Sequence, residues 1–337
     1  MIPGDLEPKI DRFEAENALQ VIVDKTLLGT KGRRENLSKF RQKVTSSINN
    51  IDLHDIGAMF SIRGGWSSTD ILLNNKVDID NLVQKIIDKK ALVLGYSDNT
   101  LLSDYINLAY GYVTYHSPNF EGLYSWSEES QDMLLKMLKQ SVDVSIPLTP
   151  LTNGRTSKYE EGYLISSNLE CLTLSLAFTD SIHKEYREKG VILLLEDIDL
   201  EPSLAFRYLE VVLMRFKNEG IKVNAIIFGK FVSCTEHSYL SWEGRTFKEL
   251  LPNLLEFVDI SVFETDKIGH SENEEAQTAN DPASAQLLEQ TGANMEEIHR
   301  ENIVMCQEKN NVEKEHYYTT PSGAFVKIQD NVLYYTL

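Results

Sequence analysis

Three residues that lie far apart in the chain have the side chains that nucleophilic hydrolysis requires. Ser97 and Glu196 follow closely on short apolar runs that are typical of buried strands, and His270 lies in a loop after a third such run, residues 260–263. A serine becomes a nucleophile when an imidazole takes its proton and a carboxylate orients that imidazole. The three residue types therefore suggest acyl-transfer chemistry, provided that the fold brings them together.

The surroundings of Ser97 favour this chemistry. Residues 91–94 are apolar, Gly95 opens a turn, and residues 99–109 have the pattern of a helix. A serine between a strand and a helix is exposed and lies near free backbone N–H groups, which can stabilise an oxyanion. The alternative interpretation is that Ser97 or Asp98 only caps the helix.

The other two residues also have ordinary interpretations. Glu196 and Asp197 fit the start of a loop after an apolar strand, and His270 is one of seven histidines. Metal chemistry is disfavoured because the chain has no His-Glu-x-x-His or Cys-x-x-Cys spacing. Cys234 and His237 lack the further ligands that zinc needs, so we expect structural or surface roles for them and no metal or cofactor.

The first half of the chain alternates apolar runs with helical patterns. This alternation predicts an α/β fold, with a Rossmann-like parallel sheet in an N-terminal domain over residues 1–145. Sites in such sheets form outside the carboxyl ends of the strands, where both Gly64-Gly65 and Ser97 lie.

The pattern changes after a segment rich in proline, asparagine and glycine, so we predict a linker over residues 146–160. Residues 161–337 are predicted to form a second, α+β domain that contributes Glu196 and His270 and ends in a β-hairpin. Within it, residues 271–316 are strongly acidic and are expected to be a surface insertion.

Bulk composition narrows the possible partners. The formal net charge of −18 over 337 residues disfavours binding to nucleic acid. No apolar run is long enough to span a membrane, and the N-terminus lacks a signal pattern, so we expect a cytoplasmic protein without a membrane partner. Three scattered cysteines fit reduced thiols.

Seven short motifs occur in a fixed order along the chain. They are Ser-Ile-Arg63-Gly64-Gly65-Trp66, Leu-Gly95-Tyr96-Ser97-Asp98-Asn99-Thr100, Tyr-His116-Ser-Pro118-Asn119, Asn168-Leu-Glu-Cys-Leu, Leu193-Leu-Leu-Glu196-Asp197, Ile227-Phe-Gly229-Lys230-Phe231 and Gly269-His270. This succession resembles the serine LD-carboxypeptidase family, which includes muramoyltetrapeptide carboxypeptidases and the microcin C self-immunity peptidases.

The resemblance implies a role for each matching position. Ser97 would be the nucleophile, His270 the general base and acid, and Glu196 the residue that orients it. The backbone N–H groups of Asp98 and of Gly64 or Gly65 would form the oxyanion hole. Arg63, Trp66 and Asn168 would bind substrate, although Arg63 could instead shape its loop. The family also commonly forms homodimers.

The implied reaction is hydrolysis of an amide bond next to a terminal D-residue in a murein tetrapeptide. Two alternatives remain: cleavage of a peptidyl- or aminoacyl-nucleotide, or a catalytically silent relative that only binds such ligands. Three departures from the family pattern motivate the last one. Gly4-Asp5 leads into a helical pattern instead of a strand, Ser166-Ser167 replace a glycine pair, and the acidic insertion follows His270.

Overall fold

The strands of the protein form two sheets, one of four strands and one of eight. The computed structural model describes residues 6–23, 42–43, 45–47, 56–65, 68–151, 159–235, 244–255, 260–271 and 315–337. Most of the predicted acidic insertion, residues 272–314, lies outside the described residues, as do Trp66 and His237.

The helices and strands of the described residues follow one another along the chain. The helices are α1 Glu7–Asn17, α2 Ser68–Lys89, α3 Thr100–Tyr110, α4 Glu128–Met137, α5 Leu169–Phe178, α6 Glu185–Lys189, α7 Pro202–Asn218 and α8 Phe247–Leu255. The strands are β1 Ala58–Phe60, β2 Leu92–Gly95, β3 Thr114–His116, β4 Asp143–Pro147, β5 Thr149–Pro150, β6 Tyr159–Asn168, β7 Val191–Ile198, β8 Val223–Val232, β9 Ser261–Glu264, β10 Thr320–Ser322, β11 Phe325–Gln329 and β12 Val332–Thr336.

The smaller sheet has the order β1-β2-β3-β10. Its first three strands are parallel, as the strand–helix alternation predicts, and β10 pairs antiparallel with β3. The α/β fold class is therefore confirmed. The fourth strand comes from the C-terminal end of the chain, a contribution that local sequence patterns do not reveal.

The larger sheet has the order β4-β12-β11-β6-β7-β8-β9-β5 and mixes both pairings. Its parallel centre, β6 to β9, includes β7, whose first seven residues are all buried. The first five of these, Val191 to Leu195, form the continuous apolar run that a strand covered on both faces needs. Strands β11 and β12 instead alternate buried and exposed residues, and they form the predicted terminal hairpin.

Residues 143–150 belong largely to this larger sheet. β4 pairs with β12, and β5 pairs with β9, although residues 146–150 were predicted to be part of a linker. The linker pattern rested on Pro147, Pro150 and Asn153-Gly154. Both prolines lie in strands of the sheet, and Asn153-Gly154 lies outside the described residues. The predicted domain boundaries themselves stay predictions.

None of the helices among these residues is both long enough and apolar enough to cross a bilayer.

Gly323 lies where the chain passes from the smaller sheet to the larger one. Its N–H donates to the carbonyl of Leu164 at 2.6 Å, its φ is +94°, and a Cβ there would collide with Nδ2 of Asn107. Both the backbone conformation and the available space therefore require glycine.

We expect Gly323→Ala to lower the free energy of unfolding by several kcal/mol, since it adds a steric clash to an unfavourable φ. Gly220 is the matched control, because its φ is +73° but no atom lies within 4 Å of the position that a Cβ would occupy. Gly220→Ala should cost only about 1 kcal/mol. Urea denaturation of both variants tests this, and equal losses would contradict it.

Candidate active site

Ser97 occupies a strained turn between β2 and α3. Its φ is +61°, a left-handed conformation that is uncommon for any residue except glycine. Such strain at a strand–turn–helix junction is typical of a nucleophile elbow, which exposes the hydroxyl. The N-cap residues of the short 3-10 helix and of α3 are Tyr96 and Asn99, and neither makes a side-chain cap bond. Helix capping therefore does not explain the position of Ser97.

The Gly64-Gly65 loop packs directly against this turn. A Cβ on Gly64 would lie 2.9 Å from both Cβ and Oγ of Ser97, so only glycine allows this approach. The side chain of Asn99 donates to the carbonyl of Arg63 at 2.7 Å and holds the loop there. Gly64, Gly65 and Asp98, the residues expected to form an oxyanion hole, thus belong to two segments in contact.

Asp98 ties the same turn to the start of α2. Its Oδ2 accepts hydrogen bonds from the backbone N–H of Ser68 at 3.0 Å and from the Ser68 hydroxyl at 2.9 Å. Because its side chain is fixed in this way, the backbone of the turn has little freedom to relax.

Glu196 and His270 form a short hydrogen bond within the protein. The distance between Oε2 of Glu196 and Nδ1 of His270 is 2.6 Å, and Glu196 has no solvent exposure. Two glycines allow the loop with His270 to lie against β8. A Cβ on Gly229 would lie 2.6 Å from the carbonyl oxygen of Ile268, and a Cβ on Gly269 would lie 2.9 Å from the Lys230 nitrogen.

The electrostatics of this pair favour an ionised carboxylate. Burial alone would raise the pKa of Glu196, but the charge of His270 and the contacts of His116 and His270 hold that pKa well below its usual range. An ionised Glu196 keeps a proton on Nδ1 of His270, which leaves Nε2 able to accept one.

Tyr96 links the imidazole to the serine segment. Its ring centroid lies 4.9 Å from that of His270, and Tyr96 directly precedes Ser97. Together with Trp126 and Tyr317, Tyr96 forms a buried aromatic cluster, and this cluster contacts His270 through the Tyr96 ring. The structure therefore brings His270 next to the segment that contains Ser97 and to Glu196.

Asn168 has a structural role at the end of β6. It pairs in register with Glu196, its Oδ1 accepts from the N–H of Cys171, and its Nδ2 donates to Asp197 at 2.9 Å. Asp197 also accepts from the N–H of Glu170. Burial and the charge of Glu196 raise the pKa of Asp197 to about 7, although these N–H donors favour its ionised form.

The three predicted substrate-binding residues stay predictions. The guanidinium of Arg63 is exposed and binds the carboxylate of Glu121 through two contacts of 2.5 and 2.6 Å, which favours a role in shaping its loop. Trp66 lies outside the described residues. Both polar atoms of the Asn168 side chain form hydrogen bonds with neighbouring residues, Asp197 and Cys171.

Sequence reasoning assigned no role to His116, which ends β3. Its Nε2 lies 3.6 Å from Oε1 of Glu196, and its Nδ1 lies 3.2 Å from the hydroxyl of Ser166. Its position at the carboxyl end of a predicted strand was the available signal, because the ends of parallel strands meet at one edge of a sheet.

Clusters of three or more His, Cys, Asp or Glu side chains that could hold a metal ion do not occur in the part of the chain that the structure describes.

Comparison with known proteins agrees with the fold. Residues 2–117 match the family model for the LD-carboxypeptidase N-terminal domain, and residues 161–281 match the model for the C-terminal domain. Together these matches cover most of the sequence. The chain therefore belongs to the LD-carboxypeptidase family. The strained serine turn and the buried Glu–His pair lie within the matched residues.

Two rickettsial proteins whose names assign them provisionally as carboxypeptidases are similar in sequence. The Rickettsia conorii protein is 30% identical over 222 residues, which are 63% of this chain and 62% of that protein. The Rickettsia prowazekii protein is 29% identical over 220 residues, with the same coverage. The chain thus matches less than two thirds of the length of these relatives.

The similarity to solved structures of the same fold extends over nearly the whole chain. A muramoyltetrapeptide carboxypeptidase from Oxalobacter formigenes superposes with a TM-score of 0.62 and 16% identity, covering 100% of this chain and 95% of its own. The microcin C7 self-immunity protein in complex with aspartyl sulfamoyl adenosine also has a TM-score of 0.62 and 16% identity, with coverage of 99% and 92%.

Replacing Asn168 should destabilise the fold. Asn168→Ala removes the N-cap of α5 and a donor to buried Asp197, so we expect a loss of about 2 kcal/mol or more in the free energy of unfolding. Ser127 caps α4 in a more exposed position, and Ser127→Ala should cost about 1 kcal/mol. Thermal and urea unfolding measure both, and a larger loss for Ser127→Ala would contradict this interpretation of Asn168.

Proposed function

We propose that this protein is a serine hydrolase of the LD-carboxypeptidase type that uses Ser97, His270 and Glu196 as its catalytic triad. The observation that carries the proposal is the 2.6 Å bond between buried Glu196 and His270, whose ring packs against Tyr96, the residue that precedes a serine in a strained turn. Membership of the family supports the same conclusion.

In the proposed reaction, Oγ of Ser97 attacks the carbonyl carbon of the scissile amide while Nε2 of His270 takes the hydroxyl proton. Glu196 stabilises the imidazolium through Nδ1. The tetrahedral intermediate collapses when His270 returns the proton to the leaving amine. Water then attacks the acyl-enzyme with His270 as base, which releases a carboxylate and restores Ser97.

The oxyanion of the intermediate would be held by backbone N–H groups of Asp98 and of Gly64 or Gly65. The close approach of Gly64 to the Ser97 side chain supports this assignment, because donors must lie within about 3 Å of the developing charge. Preorganised donors of this kind contribute about 10²–10³-fold to the rate.

For the substrate, we favour a murein tetrapeptide cleaved next to its terminal D-residue. Aminoacyl- or peptidyl-nucleotides are the second candidate, since the self-immunity protein of the same fold has been solved with such a ligand. A cytoplasmic location and a homodimer remain part of the proposal, on the basis of the sequence and the family resemblance.

The central test compares purified wild-type protein with Ser97→Ala and His270→Ala on a murein tetrapeptide and on aspartyl sulfamoyl adenosine. We expect each variant to lose about 10⁴-fold in kcat/KM on the substrate that is turned over. Ser145→Ala, on the exposed side of β4, is the serine control and should keep full activity. If wild type and Ser97→Ala bind both compounds tightly and cleave neither, the protein is a silent relative.

A second test concerns the glycine loop. Gly64→Ala places a methyl group against the Ser97 side chain and should reduce kcat by about 10²-fold through displacement of the oxyanion donors. Gly57→Ala is the control, because no atom lies within 4 Å of its Cβ position. Steady-state kinetics on the cleaved substrate give kcat for both variants. A Gly64→Ala enzyme as active as Gly57→Ala would argue against this oxyanion hole.

A further inference from the structure

Glu196 lies between two imidazoles, although a catalytic triad requires only one. Its Oε2 bonds His270, while Oε1 is fully buried and has no hydrogen bond shorter than 3.5 Å. The group facing Oε1 is Nε2 of His116, at 3.6 Å. A buried carboxylate oxygen without a hydrogen-bond donor is unfavourable. Whether the facing atom of His116 carries a proton therefore determines how well the Glu196 carboxylate is stabilised.

The register of three strands places His116 at this point. His116 pairs with Gly95 of β2 on one side and with Thr320 of β10 on the other. It belongs to the smaller sheet, whereas Glu196 and Ser166 belong to the larger one. The side chain of His116 therefore reaches from one sheet to the catalytic carboxylate of the other, and it is only 2% exposed.

Two hydroxyl groups form a chain that leads to Nδ1 of His116. The hydroxyl of Thr320 donates to Oγ of Ser166 at 2.6 Å, which leaves the Ser166 proton free to be donated onward. The neighbouring acceptor is Nδ1 of His116, 3.2 Å away. With Nδ1 acting as acceptor, a neutral imidazole has its proton on Nε2, directed at Glu196. The Tyr317 hydroxyl lies 3.3 Å from both ring nitrogens, so it does not favour a proton on one nitrogen over the other.

We propose that His116 is a positioning residue of the catalytic site: its Nε2–H group, fixed by Ser166 and Thr320, holds Oε1 of Glu196 so that Oε2 is directed at His270. This inference rests on the proposed function and adds a fourth side chain to it. It also gives a reason for Ser166, which stands where the family pattern has a glycine and supplies the hydroxyl that fixes the His116 tautomer.

Other polar groups around Glu196 and His116 belong to several elements. They are His270 in the loop after β9, Asp197 in β7, Tyr96 after β2, Tyr317 before β10, and the Lys230–Glu315 ion pair next to the His270 loop. Of these, His270 is the group that bonds Glu196 directly, so it should respond most to a change at His116.

The kinetic test uses His116→Phe, which keeps a ring but has no N–H group, and His116→Gln, which keeps a donor near the Nε2 position. We expect His116→Phe to lower kcat by about 10–10²-fold with KM within about twofold, and His116→Gln to recover most of the loss. Loss of the N–H makes Glu196 a stronger base that holds the His270 proton more tightly. The acid limb of kcat/KM should therefore move to higher pH by up to about one unit in His116→Phe only.

An unchanged kcat in His116→Phe would overturn the proposal. So would equal impairment of the Phe and Gln variants with an unshifted pH profile, because that result would indicate a packing role alone. Thermal unfolding of each variant checks that the protein is folded. If His116→Phe does not fold, Ser166→Ala replaces it, with an expected smaller loss of kcat, and full activity there would count against the proposal.

A spectroscopic test does not depend on turnover. Long-range ¹H–¹⁵N spectra of the full chain with labelled histidine, assigned by comparison with His116→Gln, report which ring nitrogen carries the proton. We expect His116 to be protonated at Nε2 and unprotonated at Nδ1. Protonation at Nδ1, alone or together with Nε2, would overturn the proposal. If wild type and Ser97→Ala both fail to cleave the substrates, the proposed function fails. The spectrum still shows separately which nitrogen of His116 carries the proton.

Discussion

The rest of the site depends on one constraint, the burial of the Glu196 carboxylate. An ionised carboxylate without access to water must find its partners within the protein, and removing one partner of a buried pair commonly costs about 3–5 kcal/mol. Here the partner of Oε2 is Nδ1 of His270 at 2.6 Å. The loop that contains His270 is consequently held at the end of β7. Gly229 and Gly269 allow this close packing, because a Cβ at either position would collide with backbone atoms.

The same constraint couples the two sheets. β7 belongs to the larger sheet, while the strained serine turn and His116 extend from the ends of β2 and β3 in the smaller one. β10 then brings the C-terminal segment back to the smaller sheet, where it pairs with β3. The short crossing at Gly323 returns the chain to the larger sheet. The candidate site therefore lies where elements of both sheets meet.

Much of the architecture could be predicted from local patterns. The continuous apolar run of β7 and the alternation along β11 and β12 correspond directly to their burial. Helix α7 buries Ala205, Leu209, Val212 and Phe216, which recur every three or four residues as an amphipathic helix requires. Proline content was a weaker guide than apolar periodicity. The prolines near residues 147–150 suggested a linker, yet strands β4 and β5 tolerate them because each is paired with only one neighbouring strand.

The sequence by itself determined which chemistry was available, since the residue types and order of Ser97, Glu196 and His270 are local facts with a definite chemical meaning. Tertiary structure alone decided that Glu196 is buried, that it meets His270 on one oxygen, and that it faces His116 on the other. Those relations depend on strand register and on contacts between residues that are far apart in the chain. No local pattern encodes them, because hydrogen bonds over such separations are set by the packing of whole sheets.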